Sequence, residues 1–166
     1  MMTVLNQIEK WKQSNLIMFN ITKLDKIIEK AMKYFTINEL CRSETASKHK
    51  IDNTPSAEII ANLTALVDNI LDPLREAWGR PIIVTSGYRC EALNRILPGA
   101  SPTSQHKQGQ AADISTGSIE DNKKLFDLAI KLKLPFDQII DEYGYKWVHI
   151  SYSSTRRRGN IRHLGE

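Results

Sequence analysis

Ser104-Gln-His-Lys-Gln-Gly-Gln-Ala-Ala-Asp113 sets a histidine and an aspartate seven residues apart, with a glycine between them. On one helix, residues at that spacing share a face but lie about 10 Å apart along the axis. Two side chains that each approach one ion to about 2 Å cannot be so far apart. For His106 and Asp113 to act together the chain must turn back between them, and Gly109 is the residue that does so without steric cost. Past it, Gln110-Ala-Ala-Asp-Ile114 reads as a short strand that delivers Asp113, with an alanine pair small enough for other backbone to pack closely. A third candidate, His149, stands in Lys146-Trp-Val-His-Ile150. Two imidazoles and a carboxylate are a donor set that zinc uses when its fourth position is kept for water. His106, Asp113 and His149 are therefore expected to be the ligands of one Zn2+, and hydrolysis is the expected chemistry.

On either side of this stretch the pattern is that of a scaffold. Ser56 to Trp78 is the best helix in the chain, with Ile59, Ile60, Leu63, Leu66, Val67, Ile70, Leu71 and Leu74 in one broad stripe. Ser56 or Thr54 can cap it, Asp72-Pro73 can kink it, and Gly79 suits its end. Thr36 and Glu39 form a capping box for a short helix, and Ser43 to Pro55 reads as polar loop with one helical turn. His49, alone among lysines there, reads as a solvated histidine, because a ligand needs a convergent set. Pro81-Ile-Ile-Val-Thr-Ser86 is β-branched and predicts a buried strand. It runs into Ser86-Gly-Tyr-Arg89, where Arg89 is either a surface ion pair or a fixed guanidinium that clamps a substrate carboxylate. Glu91 to Leu97 predicts a short helix, and Pro98 to Pro102 a loop. Ser104 can hydrogen-bond substrate or a ligand, or cap the loop, while Lys107 and Gln108 are expected to face solvent.

Downstream, Ser118 to Leu132 predicts an amphipathic helix with Ile119, Leu125, Phe126, Ala129 and Ile130 inward. Phe136 to Glu142 and Trp147 to Tyr152 predict two strands joined by Tyr143-Gly-Tyr-Lys146. A four-residue loop pairs Glu142 with Trp147 and Ile140 with His149, so alternation puts these four side chains on one face. Glu142 then stands diagonal to His149, in position to serve a water at the metal.

Residues 1–30 read as an amphipathic helical extension, with Leu5, Ile8 and Trp11 in one stripe and Leu24, Ile27, Ile28 and Met32 in another. The tail Thr155-Arg-Arg-Arg-Gly-Asn-Ile-Arg-His163 is basic: it reads as a solvated terminus or as a contact for an anionic polymer. It has no interleaved aromatics, which argues against specific nucleic-acid binding. The domain organisation expected is thus an extension (1–30), a catalytic domain (31–155) and a basic tail (156–166). Hydrophobic content of 41% and charged content of 25% are those of a globular domain. The net charge of +4 (23 minus 19) favours approach to anionic polymers without choosing among them. Cys41 and Cys90 have no metal-like spacing and read as reduced, partly buried thiols, with a disulfide between them left open. No apolar run spans a membrane and no secretory signal is visible. The expectation is a monomer without membrane insertion, cytoplasmic until released.

Ser86-Gly-Tyr-Arg89, Ser104-Gln-His106, Gly109-Gln-Ala-Ala-Asp113 and Trp147-Val-His149, in that order, resemble the motifs of the zinc D-alanyl-D-alanine peptidases. This is the carboxypeptidase and endolysin family that shares its fold with the Hedgehog signalling domain, and the chain looks closest to its short phage or prophage members. The resemblance runs from about Phe35 to Tyr152, with Ile51-Asp-Asn-Thr-Pro55 and Leu71-Asp-Pro-Leu-Arg75 included. It implies an α+β domain whose small antiparallel sheet, flanked by helices, carries zinc on His106, Asp113 and His149. It also implies a carboxylate-binding role for Arg89 and peptidoglycan peptide stems as partner. The cellular setting it implies is release to the wall or a place in a phage virion. Many members carry a carboxylate three residues before the last histidine; here that position is Lys146, so Glu142 is the expected general base and Asp137 the second candidate. The alternative is a non-catalytic zinc module for wall binding or phage structure.

Overall fold

The computed structural model describes residues 32–165, and the helices expected over residues 1–30 lie outside them. Two short helices open the described chain, α1 (Ile37–Cys41) and α2 (Glu44–Lys48). Each is started by a hydroxyl: Thr36 Oγ1 accepts the Glu39 N–H at 3.1 Å and Ser43 Oγ the Ala46 N–H at 3.2 Å. The long scaffold helix begins at Ser56 and runs as α3 (Ala57–Leu66), a π-helical stretch (Val67–Leu71) and α4 (Asp72–Trp78). Pro73 lacks an N–H and its ring would strike the carbonyl one turn back. The wider turn just before it, with the Asp72 N–H on the Val67 carbonyl, lets the helix continue past the proline. Gly79, at φ 73°, ends it.

The sheet holds five strands in the order β1-β2-β4-β3-β5: β1 (Ile83–Ser86), β2 (Ala111–Ser115), β3 (Gln138–Glu142), β4 (Trp147–Ser151) and β5 (Asn160–Leu164). Between β1 and β2 come α5 (Glu91–Ile96) and a 3-10 turn (Gln105–Gln108); α6 (Ile119–Lys131) separates β2 from β3. β2, between β1 and β4, is buried along its whole length. α6 lies behind β3 and β4 with Leu125, Phe126 and Ala129 buried, and α4 packs on it. The opposite face of the sheet is the floor of a broad groove.

Three expectations are corrected. β1 is an edge strand, not a buried one: Ile83 is 53% exposed and only the preceding Ile82 is buried. Ile119 is 56% exposed, because it sits on the first turn of α6 before the helix reaches the sheet. The sheet is also mixed. β5 pairs in parallel with β3, so the basic stretch ends as a fifth strand rather than a solvated tail. The crossover from β4 to β5 is held by Asp137, just ahead of β3. Arg158 donates Nε to Asp137 Oδ1 at 2.9 Å and Nη2 to Oδ2 at 2.8 Å, and Arg156 Nε lies 3.2 Å from Oδ2. Asp137, the second candidate base, is wholly buried in this clasp. Arg157 donates to the Tyr152 hydroxyl at 3.1 Å.

Candidate metal centre

One rung of the sheet builds the site. Ser86 on β1 lies opposite Asp113 on β2, Asp113 opposite His149 on β4, His149 opposite Ile140 on β3, and Ile140 opposite Arg162 on β5. An irregularity in register between Val84 and Ser86 turns Ser86 onto this rung. His106 arrives from the 3-10 turn, which Ser104 caps by accepting the His106 N–H at 3.3 Å. Gly109 closes that turn at φ 65° and sends the chain straight into β2. The reversal read from the sequence is thus present, and a Cβ at Gly109 would lie 2.9 Å from the Ile59 carbonyl oxygen and methyl.

Three donor atoms converge. His106 Nε2 is 3.1 Å from Asp113 Oδ1 and 3.2 Å from His149 Nδ1, and His149 Nδ1 is 2.9 Å from Asp113 Oδ1. The His106 tautomer is set from behind: Nδ1 lies 2.7 Å from the Gly87 carbonyl, which can only accept, so Nδ1 carries the proton and Nε2 presents a lone pair. Burial lowers the His106 pKa and keeps the ring neutral, although Asp113 opposes it. The Arg89 guanidinium on the other oxygen of Asp113 favours the ionised carboxylate. An ionised oxygen thus faces an imidazole lone pair, which calls for a cation among them. Tetrahedral zinc with bonds of 2.0–2.1 Å sets its ligand atoms about 3.3 Å apart. The three separations are within a few tenths of an ångström of that, so these residues fit the ion.

Arg89 buttresses the cluster. Its Nη2 donates to Asp113 Oδ2 at 2.5 Å and its Nε to Ser86 Oγ at 2.9 Å. A family model described as Peptidase M15 matches residues 33–151, well over half of the chain. The chain belongs to the peptidase M15 family. Peptidases of that family are zinc-dependent, and the His106-Asp113-His149 cluster of this M15 chain can bind a metal. No curated protein matches the sequence.

Glu142 lies on the same face of this M15 chain, opposite Trp147 and diagonal to His149, in the register that the hairpin length implied. It lines the groove with the cluster. Burial raises its carboxyl above the usual range and the Asp113 charge adds to this, while His149, Arg89 and the Trp147 indole oppose it. Lys146 stands in the turn with its ammonium 5.9 Å from the centre of the Tyr143 ring. Ser104 also lines the groove, so its capping role and contact with a ligand are compatible. Lys107 is only partly solvated: it pairs with Glu91 at 2.5 Å, whereas Gln108 is exposed. His49 is exposed and belongs to no metal-like cluster among the described residues. Cys41 and Cys90 are free thiols, and burial pushes Cys41 up to about 11.

Three contributors were missed from the sequence. Gly87 supplies the carbonyl that orients His106, and a Cβ there would meet the Leu40 oxygen at 2.1 Å. Asn122, almost wholly buried, ties the end of β2 to the β3–β4 turn: it accepts the Thr116 N–H at 2.7 Å and donates to the Tyr145 and Lys146 carbonyls at 2.9 and 3.0 Å. Arg162 joins the groove only through β5, a strand exposed on both faces that leaves no hydrophobic alternation to detect. Among the described residues no helix is long and apolar enough to cross a membrane.

Proposed function

We propose that this M15 chain is a zinc peptidase that hydrolyses peptide bonds of bacterial peptidoglycan, as a D-Ala-D-Ala carboxypeptidase or an endopeptidase on the peptide stems. The reading rests on one observation above all: three donor atoms within 3.2 Å of one another on the groove floor, with a raised carboxyl on the same face. His106, Asp113 and His149 would hold the metal, with Nε2, a carboxylate oxygen and Nδ1 as the ligand atoms. Zinc, when bound there, supplies Lewis acidity toward water and the scissile carbonyl. Glu142 takes the proton of the attacking water and returns it to the leaving amine, work for which a carboxyl with a raised pKa is suited. Arg89 has five N–H donors, of which two are spent on Ser86 and Asp113, leaving three on Nη1 and Nη2 for a substrate carboxylate or carbonyl. The Ser104 hydroxyl accepts from His106 and keeps its own proton for the substrate. A role in wall lysis for a phage or prophage belongs to the same proposal.

Lys146 favours a second reading, a non-catalytic zinc module, since the carboxylate of many relatives is missing there. Purified peptidoglycan and zinc content decide between them. His149→Ala is expected to lose both metal and hydrolysis. Glu142→Gln is expected to keep zinc and lose activity by about 10²- to 10⁴-fold. Retained lysis in His149→Ala sinks the zinc assignment; a wild-type protein that holds zinc but releases no fragments leaves the module reading standing. Mass analysis of the fragments names the bond cut.

A further inference from the structure

Arg162 stands on the metal-bearing rung, two strands from His149, with Ile140 between them. Neighbouring strands lie about 4.8 Å apart, so its Cα is roughly 10 Å from that of His149. That distance is about three residues of extended peptide. We propose that Arg162 is a specificity residue for an acidic peptide substrate. It binds a carboxylate two or three residues from the scissile bond while the peptide lies across β4, β3 and β5. This inference rests on the peptidase reading above.

The assignment follows from what the other groove arginines already hold. Arg89 is engaged by Asp113 and Ser86, and Arg156 and Arg158 by Asp137. Arg42 and Arg162 line the groove with no side-chain partner among the described residues, and Arg42 follows α1, off the sheet. Arg162 is therefore the free guanidinium on the sheet face. Its lateral neighbour Ile140 is apolar and buried, so no carboxylate on the rung between the metal cluster and Arg162 competes for it. The next groove-facing positions on β3 are Gln138 and Glu142, and Arg162 forms an ion pair with neither. An uncommitted guanidinium in a groove that already carries Asp113 and Glu142 adds an attraction for one negative group at a fixed distance from the reacting carbonyl.

The test uses two synthetic stem pentapeptides. One carries a free carboxylate at its second residue and the other a carboxamide there. Each is given to the zinc-loaded wild-type protein, Arg162→Gln and Arg162→Lys. Wild type is expected to favour the acid by about 10- to 100-fold in kcat/KM, chiefly through KM. Arg162→Gln is expected to erase that preference while leaving the amide substrate unchanged, and Arg162→Lys to retain part of it. An equal loss on both peptides, or a preference that persists in Arg162→Gln, overturns the proposal. Calorimetric titration of the same peptides separates the two readings. If wild type cleaves neither peptide and releases no fragments from purified peptidoglycan, the peptidase reading fails. Acid-selective binding that vanishes in Arg162→Gln then still sustains the carboxylate site, and equal binding of the two peptides removes it.

Discussion

Asp113 and Asp137 are both buried aspartates held by arginine, and they do opposite work. Every contact of the Asp137 carboxylate is with a donor: Arg158 supplies Nε, Nη2 and its backbone N–H, and Arg156 adds Nε. The charge is satisfied and the group is a clasp. At Asp113, Arg89 satisfies Oδ2 alone, and Oδ1 faces the Nε2 lone pair of His106 and Nδ1 of His149. Burial, residue type and a guanidinium partner are common to both. What separates them is that the remaining neighbours of Asp137 can only donate, whereas a buried carboxylate oxygen facing the lone pair of an imidazole marks a place for a cation.

Replacing each aspartate by asparagine is the sharpest way to break this contrast. Asp113→Asn is expected to lose bound zinc and about 10³-fold of peptidase activity, since a metal supplies several kcal/mol of charge stabilisation. Asp137→Asn is expected to keep its zinc content. Metal analysis beside hydrolysis rates checks both. Zinc loss in Asp137→Asn would show that the clasp reaches into the centre and that the two sites are not separate.

Gly87→Ala tests the groove side from the backbone. Its carbonyl fixes the His106 tautomer, and the new Cβ would press on the Leu40 oxygen, which is backbone and cannot swing away. A cost of about 3 kcal/mol is expected, at the upper end for overpacking. Zinc affinity should fall with it, as measured by chelator competition on the folded fraction. A variant that is destabilised yet binds zinc as tightly as wild type would detach the tautomer from this carbonyl.

Asp137→Asn has a stability readout of its own. Removing one member of a buried pair costs several kcal/mol, but Arg156 and Arg158 are about half exposed, so about 2 kcal/mol is expected. The hydrogen bonds from Arg158 hold the Asp137 carboxyl below its usual range despite burial. An unfolded aspartate titrates near 3.9, so on acidification the unfolded chain takes up the proton first. The clasp's contribution is therefore complete above about pH 5 and is lost as pH falls below 4 through the folded pKa. Denaturant midpoints followed from pH 7 to 3 should fall more for wild type than for Asp137→Asn, and parallel curves would refute the clasp.

Much of the site could be read from the sequence because its constraints are local. The seven-residue spacing with Gly109 between forced a reversal, and the four-residue turn at Tyr143 to Lys146 fixed which residues share a face with His149. The scaffold helix was plain from its stripe. The rest depended on contacts that leave no periodic trace. β5 is five residues long, with Ile161 and Leu164 on opposite faces and both exposed, so its pattern resembles that of a solvated tail. The Gly87 carbonyl is backbone and carries no residue-type signal. Asp137 has the residue type of a base, because a carboxylate near a metal site looks the same in sequence whether its partner is water or Arg158.

The smallest effect separates the two arginines of the clasp. Arg158 reaches Asp137 through two side-chain N–H groups in fork geometry at 2.8 and 2.9 Å, and its own backbone N–H adds a third bond at 3.2 Å. Arg156 offers a single contact at 3.2 Å from a half-exposed side chain. Paired N–H bonds to one carboxylate gain both strength and direction, whereas a lone, solvated contact is screened and costs rotamer entropy. Arg158→Gln is therefore expected to lower stability by about 1 kcal/mol and Arg156→Gln by less than about 0.5 kcal/mol, both measured by denaturant unfolding at neutral pH. Neither change touches a donor of the metal centre, so zinc content should stay at the wild-type level in both. Equal losses from the two variants would mean that the crossover is held by the summed charge of the arginine run. The fork at Asp137 would then be incidental, and the contrast with Asp113 would rest on the groove alone.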